Sequence, residues 1–369
     1  MDDRGSLWDL FQQKKLSRRE FMKTCVAVTG MLGLSPAMFP QVVEALEKKI
    51  LAPVLFLDMQ ACTGCPESML RSSSPLASDL LLNMISLEVD ETLSAASGDR
   101  LEHHAEEIMR NFDGKYILIC EGAVSLAQGG IHCVINGTPA VDLVKKYAKG
   151  AAAVIELGSC ATWGGIQAAR PNPTQSVSVS EVLKGSKPII KIPGCPPIPE
   201  VITGTIMHYV VFGQLPPLDA EHRPKQFFGN RIHDTCYRRA FFDSGMFVER
   251  FDDAGSKAGW CLYKVGCRGP VAYNSCGNLR WWNGLSYPIQ SGAPCVACAS
   301  NNFWDQDPFY ERLPNIPVLN TVASADRIGL WAAGAATAGV LAHGAVSAVQ
   351  KSKRDRDAGK QGNDGHEGE

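Results

Sequence analysis

The sequence predicts an α/β protein: a doubly wound parallel sheet, then a region of low secondary structure, then a C-terminal transmembrane helix. Three observations carry this. In the first half, compact apolar runs flanked by Gly or Pro alternate with stretches whose apolar residues recur at spacings of three and four, as buried strands alternate with helices. From about Gly229 the texture changes to Gly, Pro, aromatic and Cys residues with little periodicity. Ile328 to Val349 is an uncharged run rich in Ala, Gly, Val and Leu, long enough to span a bilayer, for which roughly 20 residues suffice.

The chain begins with an address. Ser17-Arg18-Arg19-Glu20-Phe21-Met22-Lys23 matches the twin-arginine pattern S-R-R-x-F-x-K, and the mildly apolar run Thr24 to Phe39 supplies the segment that follows it in such signals. Val43-Glu44-Ala45 is a partial cleavage site, so residues 1–45 are expected to be a leader removed after Ala45. Strands are expected at Val54–Asp58, Tyr116–Cys120, Ala153–Leu157 and Pro188–Ile192, and helices at Leu101–Asn111, Val141–Ala148 and Glu200–Phe212. In a sheet of this kind ligands bind at the carboxyl ends of the strands. The first domain is expected at 46–222, with a linker near Pro216–Gly229, and a second at 223–322. The membrane anchor is expected at 323–350, and 351–369 reads as a polar, disordered tail. Lys351, Lys353, Arg354 and Arg356 place that tail on the cytoplasmic side, so the body is expected on the periplasmic face of a bacterial inner membrane.

With 369 residues, 45% of them hydrophobic, the chain can bury one large or two moderate cores, which excludes a disordered protein. A formal net charge of −2 offers no broad basic surface, which excludes nucleic acid as a partner.

Ten of the thirteen cysteines and one histidine fall into three groups that look like iron–sulfur ligand sets: Cys62, Cys65, Cys160 and Cys195; His233, Cys236, Cys261 and Cys267; Cys276, Cys295 and Cys298. Cys62, Cys160 and Cys195 each lie a few residues beyond an expected strand, so separate strand ends can deliver sulfur to one crevice. Gly64, Gly158, Gly164, Gly165 and Gly194 suit loops that pass close to a cofactor. Soft thiolates suit iron–sulfur clusters, and a cubane takes one ligand per iron. Zinc favours paired knuckles and four ligands in each structural site, which eleven ligands do not make, although zinc stays open as an alternative. Disulfides fit less well with export of a folded protein and with an odd count of thiols.

At this point the motifs meet a family. Ala61-Cys62-Thr63-Gly64-Cys65-Pro66-Glu67-Ser68, Gly158-Ser159-Cys160-Ala161-Thr162-Trp163-Gly164-Gly165, Ile192-Pro193-Gly194-Cys195-Pro196-Pro197, Trp260-Cys261-Leu262-Tyr263 and Pro294-Cys295-Val296-Ala297-Cys298 resemble the small, electron-transfer subunit of the [NiFe] uptake hydrogenases, from about Arg18 to Val349. The resemblance implies a flavodoxin-like first domain. It implies a proximal [4Fe-4S] cluster on the first set, a distal [4Fe-4S] cluster on the second and a medial [3Fe-4S] cluster on the third. The nickel–iron centre would lie in a partner large subunit, leaving this chain with no catalytic residue of its own. It further implies H2 oxidation, electron delivery to a membrane b-type cytochrome or other quinone-reducing subunit, and a dimer of heterodimers.

The same resemblance puts Pro288 where a fourth medial cysteine would otherwise stand, and an imidazole at His233 where a thiolate would add charge. Gly64 and Gly165 stand where oxygen-tolerant relatives carry two further cysteines, so no special oxygen tolerance is expected. Ala61 replaces a glutamate common in the family, while Glu67 is kept. Cys25 lies in the leader, and Cys120 and Cys133 read as packing residues. His343 lies within the expected membrane helix and reads as approaching the interface. The alternatives are an iron–sulfur subunit of another quinone-linked respiratory complex, which accounts for the first domain only, and a membrane-tethered zinc scaffold.

Overall fold

The computed structural model describes residues 7–13, 17–48, 52–306, 308–312, 315–318 and 321–361. Residues up to Glu311 form one unit, and those from Arg312 a second.

Five strands make one parallel sheet: β1 (Ala52–Asp58), β2 (Ile85–Val89), β3 (Ile117–Glu121), β4 (Ala153–Leu157) and β5 (Ile189–Ile192), in the order β2-β1-β3-β4-β5. The order reverses between β1 and β3, which opens a crevice beyond their carboxyl ends. Alternation sorts the side chains into two cores. Val54, Phe56, Ile117, Ile119, Ile155, Ile190 and Ile192 face one way, and Leu55, Leu57, Leu118, Cys120 and Val154 the other. Burial on both faces is why β1, β3, β4 and β5 read as mainly apolar runs, with Glu156 inside β4 and Lys191 inside β5 as exceptions. β2 was not anticipated, because its Ser86 and Glu88 interrupt the apolar run and it pairs with β1 alone.

Before the sheet come α1 (Leu7–Gln13), α2 (Arg18–Met31) and α3 (Phe39–Lys48). Ser17 caps α2: its Oγ accepts from the Glu20 N–H, and Glu20 Oε2 accepts from the Ser17 N–H at 2.7 Å. Phe21, Cys25 and Val28 of α2 are buried against the body. Between and after the strands lie α4 (Gly64–Met69), α5 (Asp99–Asn111), α6 (Ala140–Ala148), α7 (Gly158–Trp163) and α8 (Pro199–Phe212). Helices α5 and α6 pack on one side of the sheet through Leu101, Ala105, Ile108, Val144 and Tyr147. On the other side α8 is buried nearly all round, and Gly213, at φ +65°, ends it.

That second side runs on into the cysteine-rich region, where Phe228, Val248, Leu262 and Ile289 join the same core. Between Gly229 and Glu311 the described residues form short helical turns, at Ile232–Thr235, Arg239–Asp243, Ala254–Lys257 and Tyr263–Val265, and isolated β-bridges such as Phe247 with Cys261.

The second unit holds a two-stranded hairpin, Asn315–Val318 with Thr321–Ser324, and the 37-residue helix α9 (Ala325–Gln361). Within it Gly329–Arg354 is long and apolar enough to cross a membrane. The polar stretch after 350, expected to be disordered, is instead helical at its start: α9 runs on through Lys351, Lys353, Arg354 and Arg356 to Gln361. Lys, Arg, Ala and Gln are good helix formers without any apolar face, and cations near a helix C-terminus suit its dipole. Residues 362–369 lie outside the described part.

Candidate metal centres

The first set gathers at the crevice. Cys62 follows β1. Thr63, left-handed at φ 59°, then turns the chain into α4, whose first turn carries the buried Cys65. Cys160 sits in α7, directly after β4, and Cys195 follows β5. The β4 and β5 ends are tied together: the Ser159 N–H donates to Gly194 O at 2.8 Å, and the Gly194 N–H donates to Ser159 Oγ at 3.0 Å.

Glycine is required here by close approach. A Cβ on Gly158 (φ +84°) would lie 2.5 Å from Cys65 Sγ, and one on Gly165 (φ +62°) 2.6 Å from Cys160 Sγ. Burial first, and then neighbouring negative charge, raise the proton affinity of Cys65, Cys160 and Cys195. Burial, then Glu121, then Cys160 and Cys62 push Cys65 well above the ordinary thiol range. Burial, then Cys298, Cys160 and Cys62 push Cys195 up to about 12. Such a group is poorly poised as bare thiolates and well suited to a cationic iron–sulfur core, which would deprotonate the thiols on binding.

The second set lies in the loop-rich region. His233 lies within one helical turn and Cys236 directly follows it, while Cys261 and Cys267 flank another, and all four line one small cavity with Arg238, Tyr263 and Ile289. The half-buried His233 ring stands edge-on to Phe242, centroids 4.5 Å apart. Burial, then Arg239, lowers its proton affinity, leaving a neutral ring nitrogen free to bind metal.

Cys276, Cys295 and Cys298 line a third cavity of about 200 Å³. Pro288 stands in its wall with Trp281, Tyr287 and Ile289, and none of those four offers a thiolate. This cavity touches both other sets. Cys195 lines it, and Ser159 Oγ donates to Cys298 O. On the far side the Cys295 N–H donates to Cys267 Sγ at 3.4 Å, and the Tyr287 hydroxyl to Cys236 Sγ at 3.5 Å. In space the third set therefore lies between the first and the second. Among the described residues no three His, Cys, Asp or Glu side chains close on a single ion. The second and third sets each line a cavity.

Sequence reasoning missed the acids behind the first set. Asp58 and Glu121 are register partners at the ends of β1 and β3, and Glu121 Oε1 accepts the Cys65 N–H at 3.0 Å. Burial, then the hydrogen bond with Glu121 and the charges of Glu91 and Asp90, push Asp58 up to about 8. Glu91 rises to about 7, chiefly by burial. The available signal was that two apolar strands end on acids at matching positions. Glu67 is exposed and pairs with Arg71 at 3.7 Å, and Ala61 is half-buried. Cys120 is fully buried in the α5/α6 core, Cys25 is buried in α2 and Cys133 is half-buried. His343 is exposed on α9.

Strand-end thiols continued by two further thiol-rich cavities define the class: an iron–sulfur electron-transfer subunit. Residues 62–209 match the family described as NADH ubiquinone oxidoreductase, 20 Kd subunit, and residues 228–310 match the C-terminal family of the NiFe/NiFeSe hydrogenase small subunit. The uptake hydrogenase small subunit of Azotobacter vinelandii is 48% identical over 346 residues, 94% of this chain and 96% of the relative. The hydrogenase-1 small chain of Escherichia coli K12 is 45% identical over 354 residues, 96% and 95% of the two chains. Among solved structures, an H2-activated [NiFeSe] hydrogenase of Dm. baculatum superposes with a TM-score of 0.67 at 33% identity, covering 72% of this chain and 100% of that one. The chain belongs to the small-subunit family of the [NiFe] uptake hydrogenases.

Proposed function

We propose that this small subunit carries electrons from H2 oxidation at a large-subunit nickel–iron site to a membrane b-type cytochrome or other quinone-reducing subunit, as part of a dimer of heterodimers. In this reading Cys62, Cys65, Cys160 and Cys195 hold a proximal [4Fe-4S] cluster, Cys276, Cys295 and Cys298 a medial [3Fe-4S] cluster, and His233, Cys236, Cys261 and Cys267 a distal [4Fe-4S] cluster. Such clusters accept and give up one electron at a time, which matches the two electrons and two protons released from each H2. The observation that carries the reading is the contact order, with Cys195 against the third cavity and Cys295 against Cys267.

The chain's own residues then have distinct tasks. Glycines 158 and 165 leave room beside the proximal thiols. Pro288 offers no donor at the medial site, so one corner stays without iron. His233 replaces one anionic ligand by a neutral one, which favours the reduced state. Gly64 and Gly165, in place of two further cysteines, support an ordinary cubane without special oxygen tolerance. Helix α9 would anchor the body on the periplasmic face of the membrane.

The test is anaerobic purification through a tag on this chain. Expected are a co-purifying large subunit, H2-dependent dye reduction that falls off under traces of oxygen, and about eleven irons per chain, the sum over clusters of four, three and four. Zinc in place of iron, or no large subunit, would overturn it.

A further inference from the structure

Arg238 is a buried cation without a carboxylate partner. It is 5% exposed, its Nε donates to the Tyr237 hydroxyl at 2.7 Å, and its Nη1 donates to Trp260 O at 2.7 Å. Its guanidinium lies 5.3 Å from the centre of the Tyr237 ring. All of these partners are neutral. The nearby acids are engaged elsewhere, Asp234 with Arg231 and Arg239, and Asp243 with Arg239. Among the described residues no acid forms an ion pair with Arg238. A guanidinium in a low-dielectric interior is costly unless negative charge compensates it.

The thiols of the second set offer negative charge beside it. Arg238 lines the cavity of His233, Cys236, Cys261 and Cys267, and its backbone N–H donates to Cys236 Sγ at 3.4 Å. Its positive charge favours the thiolate forms of Cys261 and Cys267, against the larger opposing effect of burial.

We infer that Arg238 is the internal counter-cation of the distal centre, setting its reduction potential upward. The inference rests on the reading that the second set holds a [4Fe-4S] cluster. Three thiolates around a core of charge +2 leave a net charge of −1, and the electron received from the medial side makes it −2. A fixed cation beside the site stabilises the doubly negative state more than the singly negative one, so it raises the potential. Arg238 and the neutral ligand His233 act in the same sense. Both hold the electron briefly at the exit of the chain. Arg238 touches neither H2 nor the nickel–iron site, and is a positioning residue for charge.

The experiment is a redox titration followed by EPR on the whole complex carrying Arg238→Gln, Arg238→Met or Arg238→Lys. Expected is a lower midpoint potential of the distal signal in the Gln and Met variants, near-native potential in the Lys variant, and an unmoved medial signal in all three. Unchanged potential in a fully iron-loaded Gln or Met variant overturns the inference, as do equal shifts in Lys and Gln, which would mean packing alone. If the neutral variants fail to load the distal cluster while Lys loads it, the requirement for charge stands. Failure of all three to load it overturns the inference. Wild-type protein lacking any distal signal would instead refute the ligand set, a result separable from the others.

Discussion

The Cys295 N–H donates to Cys267 Sγ at 3.4 Å, so a residue of the third set hydrogen-bonds a sulfur of the second. On the other side of the same loop the Ser159 hydroxyl donates to Cys298 O, tying that end to the strand-end thiols. The two cysteines thus face different neighbours. Cys295→Ser and Cys298→Ser should both abolish the three-iron EPR signal. The first should also perturb the distal signal and the second the proximal one. Identical side effects from both variants would contradict this division.

Pro288 stands in the wall of the medial cavity, and proline carries no donor atom. Pro288→Cys adds a fourth thiolate to the three already there. The expected outcome is conversion from a three-iron to a four-iron centre, with loss of the oxidised three-iron EPR signal and a shifted medial potential. Persistence of the three-iron signal would show that the new thiol does not reach the empty corner.

The proximal glycines can be separated from ordinary backbone strain. Gly158→Ala places a methyl 2.5 Å from Cys65 Sγ at φ +84°, whereas Gly129→Ala, at φ +74°, meets nothing within 4 Å. Both variants pay the left-handed penalty, of order 1–2 kcal/mol. Only the first should lose iron, about four atoms per chain as read by iron analysis. Equal iron content in the two would mean that the proximal site tolerates the methyl.

The same contacts explain what a reader of the sequence can see. β1, β3, β4 and β5 are buried on both faces, so each shows itself as a mainly apolar run, and the cysteines just beyond β1, β4 and β5 mark the crevice. β2 does not show itself, since an edge strand with Ser86 and Glu88 carries a mixed pattern. Glu121 escaped notice because its role depends on Cys65, 56 residues away. In the loop-rich region no periodicity relates His233 to Cys267 or Cys276 to Cys298. There the grouping rested on the order of the cysteines along the chain, and the resemblance supplied the cluster assignments, as it did the expectation for Pro288. The end of α9 was misjudged because polar helix formers produce no apolar stripe.

Glu156 supplies a pH test on a residue outside the three cysteine sets. It is fully buried, its Oε2 lies 3.6 Å from Lys191 Nζ, and its Oε1 accepts the Ser180 N–H. Burial outweighs the attraction of Lys191 and the Ser180 hydrogen bonds, and lifts it from 4.5 to about 7. The folded state therefore binds the proton more tightly than the unfolded state. The stability contributed by this group is fully present below pH 4.5 and is lost as pH rises to about 7. At 1.36 kcal/mol per unit the loss is about 3 kcal/mol. Asp58 and Glu91 slope the same way, so the comparison with Glu156→Gln is what isolates this carboxyl. The neutral amide should match wild type near pH 5 and gain on it toward pH 8, seen as a widening difference in Tm by circular dichroism. A constant difference across that range would mean that Glu156 is ionised throughout, with its attraction to Lys191 outweighing the cost of burial.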